Sequence, residues 1–177
     1  GVSFAPIESQ AGQKAGEDFQ SDAMEKGLQV EPDARCAYEV ATGQIVTESG
    51  FVSHNELMAG ASIDGDVSDF EGLVSIKCPY AATHWDTINN KNIKLAYMRQ
   101  VIHEQWLTGA LWTDFVSYNP QFSAKLRLQI IRVQRNEQVI AQHHEAVIAF
   151  LAEVEAALQA MRTLEDVGAV LAESAVA

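Results

Sequence analysis

Basic side chains are scarce in this 177-residue chain, 12 against 24 acidic ones, for a net charge of −12. That balance excludes a protein that wraps nucleic acid with its whole surface. Cysteine is scarcer still. Cys36 and Cys78 alone build neither a disulfide framework nor a zinc site, and are expected to be reduced thiols of a cytoplasmic chain. No run of about 18 apolar residues is present, which excludes a membrane-spanning helix. No basic stretch leads into an apolar one in the manner of a secretion signal. Repeats and low-complexity segments are missing too. What remains is ordinary for a folded chain: 47% hydrophobic and 20% charged residues. The length suits one domain over 1–177, with 1–20 a loop-rich opening segment and 163–177 a frayed helix or tail.

The overall charge conceals a pattern. Residues 1–90 carry 4 Lys/Arg and 15 Asp/Glu, residues 91–135 carry 7 and 2, and residues 136–177 carry 1 and 7. Only the middle stretch is net basic. An acidic centre beside a basic strip suits a metal-dependent enzyme acting on phosphates, although solvated faces give the same pattern.

Periodicity orders the elements. From Ser21, a candidate N-cap, apolar and small residues through Ala34, Tyr38 and Ala41 recur at spacings of three and four. Pro32 either kinks that helix or starts a second one, and Gly43 closes it. Extended structure is expected over 45–54, in a run reaching Ser62–Gly65 where Asp-Gly marks a turn, and over 72–79, stopped by Pro79. Residues 93–108 read as a helix, 111–118 and 126–133 as strands, and 136–162 as an amphipathic helix. The order helix, three strands, helix, two strands, helix predicts an α/β or α+β fold, a central mixed sheet flanked by helices.

Within that frame, Asp64 ends one strand and Lys77 ends another thirteen residues later. A hairpin with its tip near 66–71 would bring them side by side. A carboxylate holding a divalent cation, with an ammonium to orient a water, equips a site for phosphodiester hydrolysis, and Glu31 could add a second oxygen ligand. The other polar candidates read as structural. His143 and His144 point to different helix faces; His54, His84 and His103 have no partner at ligand spacing; Trp106 and Trp112 sit in apolar patterns.

Gly-Leu-Val-Ser-Ile-Lys-Cys-Pro at 72–79 resembles the Glu-x-Lys-Cys-Pro core of the lambda-exonuclease-like (YqaJ-type) viral recombinase nucleases of the PD-(D/E)xK, restriction-endonuclease-like superfamily. Other segments agree in order: Glu31-Pro32-Asp33-Ala34-Arg35 with the helix of the first acidic ligand, Ser62-Ile63-Asp64-Gly65 with Ser-Pro-Asp-Gly, Tyr97-Met98-Arg99-Gln100 with Tyr-x-x-Gln, and Phe115 to Pro120 with Phe-x-x-Tyr-Asp-Pro. The resemblance covers about residues 17–160. It implies Glu31, Asp64 and the Ile76 carbonyl as metal ligands, Lys77 as the residue that positions or activates water, and Gln100 as a brace or a DNA contact. The cofactor it implies is Mg²⁺ or Mn²⁺. Phosphate contacts would come from the basic stretch, with Tyr97, Arg99, Arg127, Arg132 and Arg135 as candidates.

The implied activity is digestion of linear double-stranded DNA from its ends, 5′ to 3′, inside a bacterial host by a phage- or prophage-encoded ring-shaped homotrimer. A single-strand annealing recombinase would be its partner. One position departs: Ser75 stands where the motif has its glutamate. An introduced substitution, a natural inactive member, or a natural variant that draws a carboxylate from Glu71 or Asp66 would each account for it. The rival class is a catalytically dead module that binds DNA ends or proteins on the same fold. The 5′-phosphate grip expected near the N-terminus is thin, with Lys14 the only basic residue in 1–20.

Overall fold

The computed structural model describes the backbone of residues 22–174 and the side chains of 29–164. The opening segment 1–20 and the Ser21 cap lie outside the described residues. Helix α1 (Asp22–Thr42) runs through Pro32 as one element. Ala34 and Tyr38, one turn apart, are fully buried. Gly43 ends the helix at φ +72°, its N–H donating to the Glu39 carbonyl at 2.8 Å. A side chain in that left-handed conformation would be strained, which is why glycine closes the turn.

Strands β1 (Phe51–Ser53) and β2 (Gly60–Ser62) form a small antiparallel sheet. The main sheet has the order β3-β4-β5-β6, from β3 (Gly65–Val67), β4 (Gly72–Lys77), β5 (Trp112–Tyr118) and β6 (Leu128–Gln134). It is mixed: β4 and β5 are parallel, and the other two pairs are antiparallel. A parallel pair needs a long crossover, here supplied by α2 (Ala81–Asn90) and α3 (Leu95–Thr108). The observed order is therefore one helix, four strands, two helices, two strands and a final helix, α4 (Glu137–Ser174).

Strand β4 explains why the core forms where it does. Its residues 72–76 are all buried, the mark of a strand covered on both faces. Val74 and Ile76 pack with Ala34, Tyr38, Val116 and Tyr118 on the α1 side. Leu73 packs with Val52, Ile63, Leu107 and Ala110 on the other. Gly72 is obligatory at its position, because a Cβ there would collide with the Trp112 ring.

Helix α2 is absent from the pattern reading of the sequence, and its buried residues give the reason. They are His84 and Thr87, polar groups with no hydrophobic period. His84 is fully buried with Nδ1 2.8 Å from Ser117 Oγ and Nε2 2.8 Å from the Leu126 carbonyl, so it is a structural histidine. Extended structure over 45–54 contracts to β1 plus a Thr47–Asp66 bridge. The last helix also runs further than its periodic stretch, through to Ser174.

The described residues group into two compact units, one up to Ile140 and one from Ala141. The second is a single helix with Phe150 61% and Leu164 73% exposed. In the first, Asp114 is a charge buried at the sheet. It accepts the Tyr38 hydroxyl at 2.8 Å and two bonds from Arg132, each 2.8 Å. Arg132 also lies 3.8 Å from the Trp112 ring centroid. Removing Arg132 leaves that carboxylate with one neutral donor. Arg132→Ala should cost about 2–3 kcal/mol in urea unfolding, and Arg132→Lys should recover only part of it, since an ammonium cannot give two parallel bonds. A cost below about 0.5 kcal/mol would show the pair to be surface decoration.

Candidate active site

The charged residues collect where β4 ends. Asp64 sits in the turn before β3. Its Oδ2 accepts the Ile76 N–H at 2.7 Å and lies 3.3 Å from Lys77 Nζ. The hairpin therefore joins the two strand-end residues as the spacing predicted. Glu31 approaches from α1 and is bonded to Arg35 at 3.0 Å. Arg35 also donates to Glu48 and to the Asp64 carbonyl, the latter at 3.3 Å, which ties α1 to the Asp64 turn. Burial raises the Glu31 pKa above its ordinary value, and the Asp64 charge raises it further, with Arg35 and Lys77 opposing. The two carboxylates thus share one field.

Helix α3 closes the other side. The Lys77 ammonium lies 6.0 Å from the Tyr97 ring centroid, and that ring packs on Phe115 at 5.7 Å. Gln100 donates to Glu104 at 2.6 Å. Glu104 is 1% exposed. Burial pushes its carboxyl up to about 7; the Gln100 bond opposes this, the Asp64 charge adds to it, and Lys77 lowers it. Glu104 is the residue that motif reading passed over. Its signal was available: Tyr97, Gln100 and Glu104 fall at i, i+3 and i+7, on one helix face.

Ser75 lies on β4 between Leu73 and Lys77, on their side of the strand. It is 1% exposed, and its hydroxyl has no hydrogen-bond partner among the described residues. Asp66 and Glu71 do not stand in for it. Asp66 is held by Ser49 and the Phe70 N–H, and Glu71 is an exposed turn residue at the start of β4. Between them Ser68, Asp69 and Phe70 all adopt positive φ, at 54°, 55° and 65°.

The basic candidates separate. Arg135 lies at the opposite end of the sheet from Lys77, since β6 runs antiparallel and Gln134 pairs with Trp112, while Arg132 sits mid-sheet, in register with Asp114 and through it with Val74. Arg132 serves Asp114. Arg135 bonds the Gln105 carbonyl and sits 2.5 Å from Glu137. Arg127 precedes Leu128, which pairs with Tyr118, and so lies at the Lys77 end of the sheet, half-buried with its Nε unpartnered among the described residues. Arg99 is exposed on α3.

As it stands, no group of three His, Cys, Asp or Glu side chains among the described residues is gathered for chelation. The donor chemistry nevertheless fits a hard divalent cation. Two carboxylates whose pKa is raised by burial and then by the Asp64 charge, with a buried serine oxygen on β4 that has no partner among the described residues, are groups that a positive charge relieves.

A nuclease-type α+β fold with a carboxylate–lysine pair at the end of a central strand is the class these features define. A family model for the YqaJ-like viral recombinase domain matches residues 6–111, and the chain belongs to that family. Among solved structures it is similar to an alkaline exonuclease (LHK-Exo) from Laribacter hongkongensis, 39% identical over 80% of this chain and 73% of that one, with a TM-score of 0.76. A structure of LHK-Exo in complex with dAMP matches at 38% identity over 82% and 74%, TM-score 0.77. A phage-related exonuclease from Haemophilus somnus 129PT, 18% identical over 75% and 70%, shares the fold at a TM-score of 0.62. No curated protein matches.

The field of this site should be readable in a thiol. Burial, then the Glu31 charge, pushes Cys78 up to about 11, while Cys36 is exposed on α1. At pH 8 a disulfide reagent should therefore modify Cys36 quickly and Cys78 at least tenfold more slowly, the second rate rising as pH approaches 11. Equal rates at pH 8 would mean that neither burial nor the acidic field suppresses the Cys78 thiolate.

Proposed function

We propose that this chain is a divalent-metal-dependent exonuclease that degrades one strand of linear double-stranded DNA from its end, 5′ to 3′. The observation that carries the reading is the Asp64 carboxylate held by both the Ile76 N–H and the Lys77 ammonium, beside Glu31. Its family membership and its 39% identity to an alkaline exonuclease support it. Glu31, Asp64 and the Ile76 carbonyl would hold Mg²⁺ or Mn²⁺. When bound, such a cation polarises the scissile phosphate and acidifies a coordinated water. Lys77 orients the attacking water and balances charge. Gln100 braces the α3 side of the site. Tyr97 fixes the height of Lys77 over the sheet end, and Arg99 and Arg127 hold the DNA backbone without reading bases.

In this reading the protein works in the cytoplasm of a bacterial host and is phage- or prophage-encoded. It forms a homotrimeric ring whose product strand passes to a single-strand annealing recombinase. The net charge of −12 with a basic stretch over 91–135 supports a ring with an acidic outside and a basic channel. Among the described residues no helix is long and apolar enough to cross a membrane. A second reading, a catalytically dead module that binds DNA ends or proteins, draws its support from Ser75 at the motif glutamate position.

The test is digestion of 5′- and 3′-labelled linear duplex, with covalently closed circles as control. Mg²⁺-dependent loss of linear DNA from the 5′ end is expected, abolished by EDTA and reduced about 10²–10³-fold by Lys77→Ala. End binding without cleavage under any divalent metal would replace the enzyme with the dead module. Salt dependence probes the backbone contacts. Arg99→Gln and Arg127→Gln should each flatten the slope of log affinity against log salt by about one unit. Arg135→Gln, whose guanidinium already has internal partners, should leave it unchanged. A slope that ignores Arg99 and Arg127 would move the DNA path elsewhere.

A further inference from the structure

Position 75 poses a specific chemical question. The strand that carries the site's lysine has a neutral, short side chain where the motif resemblance calls for a carboxylate, and the two substitutes suggested by sequence are turned away. Helix α3 answers it. Leu73 packs on Leu107 and Ala110 at one end of the α3–β4 contact, and Lys77 lies against Tyr97 at the other. Ser75 is midway along β4 between Leu73 and Lys77, and Glu104 lies between Tyr97 and Leu107 on the facing side of the helix. The two positions therefore fall opposite one another. Ser75 pairs in register with Phe115, the residue on which Tyr97 packs, which fixes the same alignment from β5.

Resting on the reading above, we propose that Glu104 supplies the carboxylate that Ser75 lacks, so that the cation-binding set of this chain is Glu31, Asp64 and Glu104, drawn from α1, the β3 turn and α3. Three observations carry it. Glu104 is 1% exposed, and no lysine or arginine forms an ion pair with it among the described residues. A carboxylate is seldom buried without an ionic partner or a metal. Its charge is felt together with those of Asp64 and Lys77, and so it belongs to the same site. Finally, Ser75 Oγ is buried and has no partner among the described residues. The space a strand glutamate would fill thus holds a small side chain, leaving room for a carboxylate arriving from the helix. Gln100 positions that carboxylate by its 2.6 Å bond, which gives the glutamine of the Tyr-x-x-Gln segment a defined task.

The experiment measures Mn²⁺ binding by electron paramagnetic resonance and calorimetry on the full chain, with cleavage as a second readout. Glu104→Gln keeps the shape and removes the charge. It should weaken Mn²⁺ binding at least tenfold, while the unfolding temperature in EDTA stays level or rises, because a desolvated charge is gone. Ser75→Glu placed in the Glu104→Gln background should restore most of the affinity. Glu71→Gln should change nothing. Unaltered Mn²⁺ affinity in Glu104→Gln overturns the proposal. So does a parent chain that binds no Mn²⁺ while Ser75→Glu alone creates binding. That outcome leaves the Glu31–Asp64 site intact but makes the natural chain inactive. Absence of binding in both would overturn the nuclease reading itself.

Discussion

The burial of β4 on both faces is the constraint from which the rest follows. In a strand covered by α1 on one side and α3 on the other, residues 72–76 are all buried and uncharged, and the first charged side chain is Lys77. Every other charged group in the site is placed relative to that exit. Asp64 is brought there by the β3–β4 hairpin and held by the Ile76 N–H, a strand-edge donor that would otherwise lack a partner. Glu31 and Arg35 come from the same two turns of α1 as Ala34 and Tyr38, the pair that docks the helix on Val74 and Ile76. The core therefore fixes the site's geometry, and the polar residues fill the one place where apolar packing stops.

This arrangement runs against stability. Glu31 and Glu104 both feel the charges of Asp64 and Lys77, and burial raises the pKa of each. Like charges in a partly desolvated pocket are destabilising. The contrast with Asp114 is instructive. That carboxylate is also buried, yet it has a bidentate arginine and a tyrosine hydroxyl, and needs nothing further. One buried acid is fully satisfied by the fold, whereas Asp64 and Glu31 have single cationic partners in Lys77 and Arg35, and Glu104 has no ion pair among the described residues. That difference separates a structural ion pair from a functional site.

How much of this was legible in the sequence depended on whether chemistry and periodicity coincided. Helix α1, strands β4 to β6 and helix α3 carried apolar period and clear stop signals such as Gly43 and Pro79. The Asp64–Lys77 pairing followed from hairpin spacing alone. Helix α2 escaped because its inward face is His84 and Thr87, whose burial is made favourable by partners on β5 and beyond β5 that no local pattern reveals. Glu104 escaped for the same reason in reverse. A glutamate beside His103 and Gln105 reads as a solvated helix position unless the face it shares with Tyr97 and Gln100 is weighed, and its burial shows that this face turns inward. Arg132 and Arg135 looked like free cations in a basic stretch, whereas register gives Arg132 the buried Asp114, and Arg135 is held by the Gln105 carbonyl and by its sequence neighbour Glu137. Charge counts locate a basic segment but cannot say which of its members are already spent.

Ser75 and Glu104 are best understood as one electrostatic choice rather than two independent residues. A glutamate at 75 would add a fourth carboxylate to a pocket that already depresses its own ionisation, as the raised pKa values of Glu31 and Glu104 record. With carboxylates at both 75 and 104, one would stay protonated or the pocket would open to water. A serine at 75 removes that conflict at little cost to packing, since its neighbours Leu73 and Phe115 already close the surrounding core. Conversely, a buried glutamate on α3 beside an apolar strand residue would have no reason to persist. The pair makes physical sense only as a transfer of charge from strand to helix, conserving the number of acids that face Lys77 while changing the element that carries one of them. A strand residue is held by two neighbouring strands, whereas a helix residue moves with its helix. The consequence is that the position of α3, through Tyr97 on Phe115 and Leu107 on Leu73, sets how closely the third carboxylate approaches the other two.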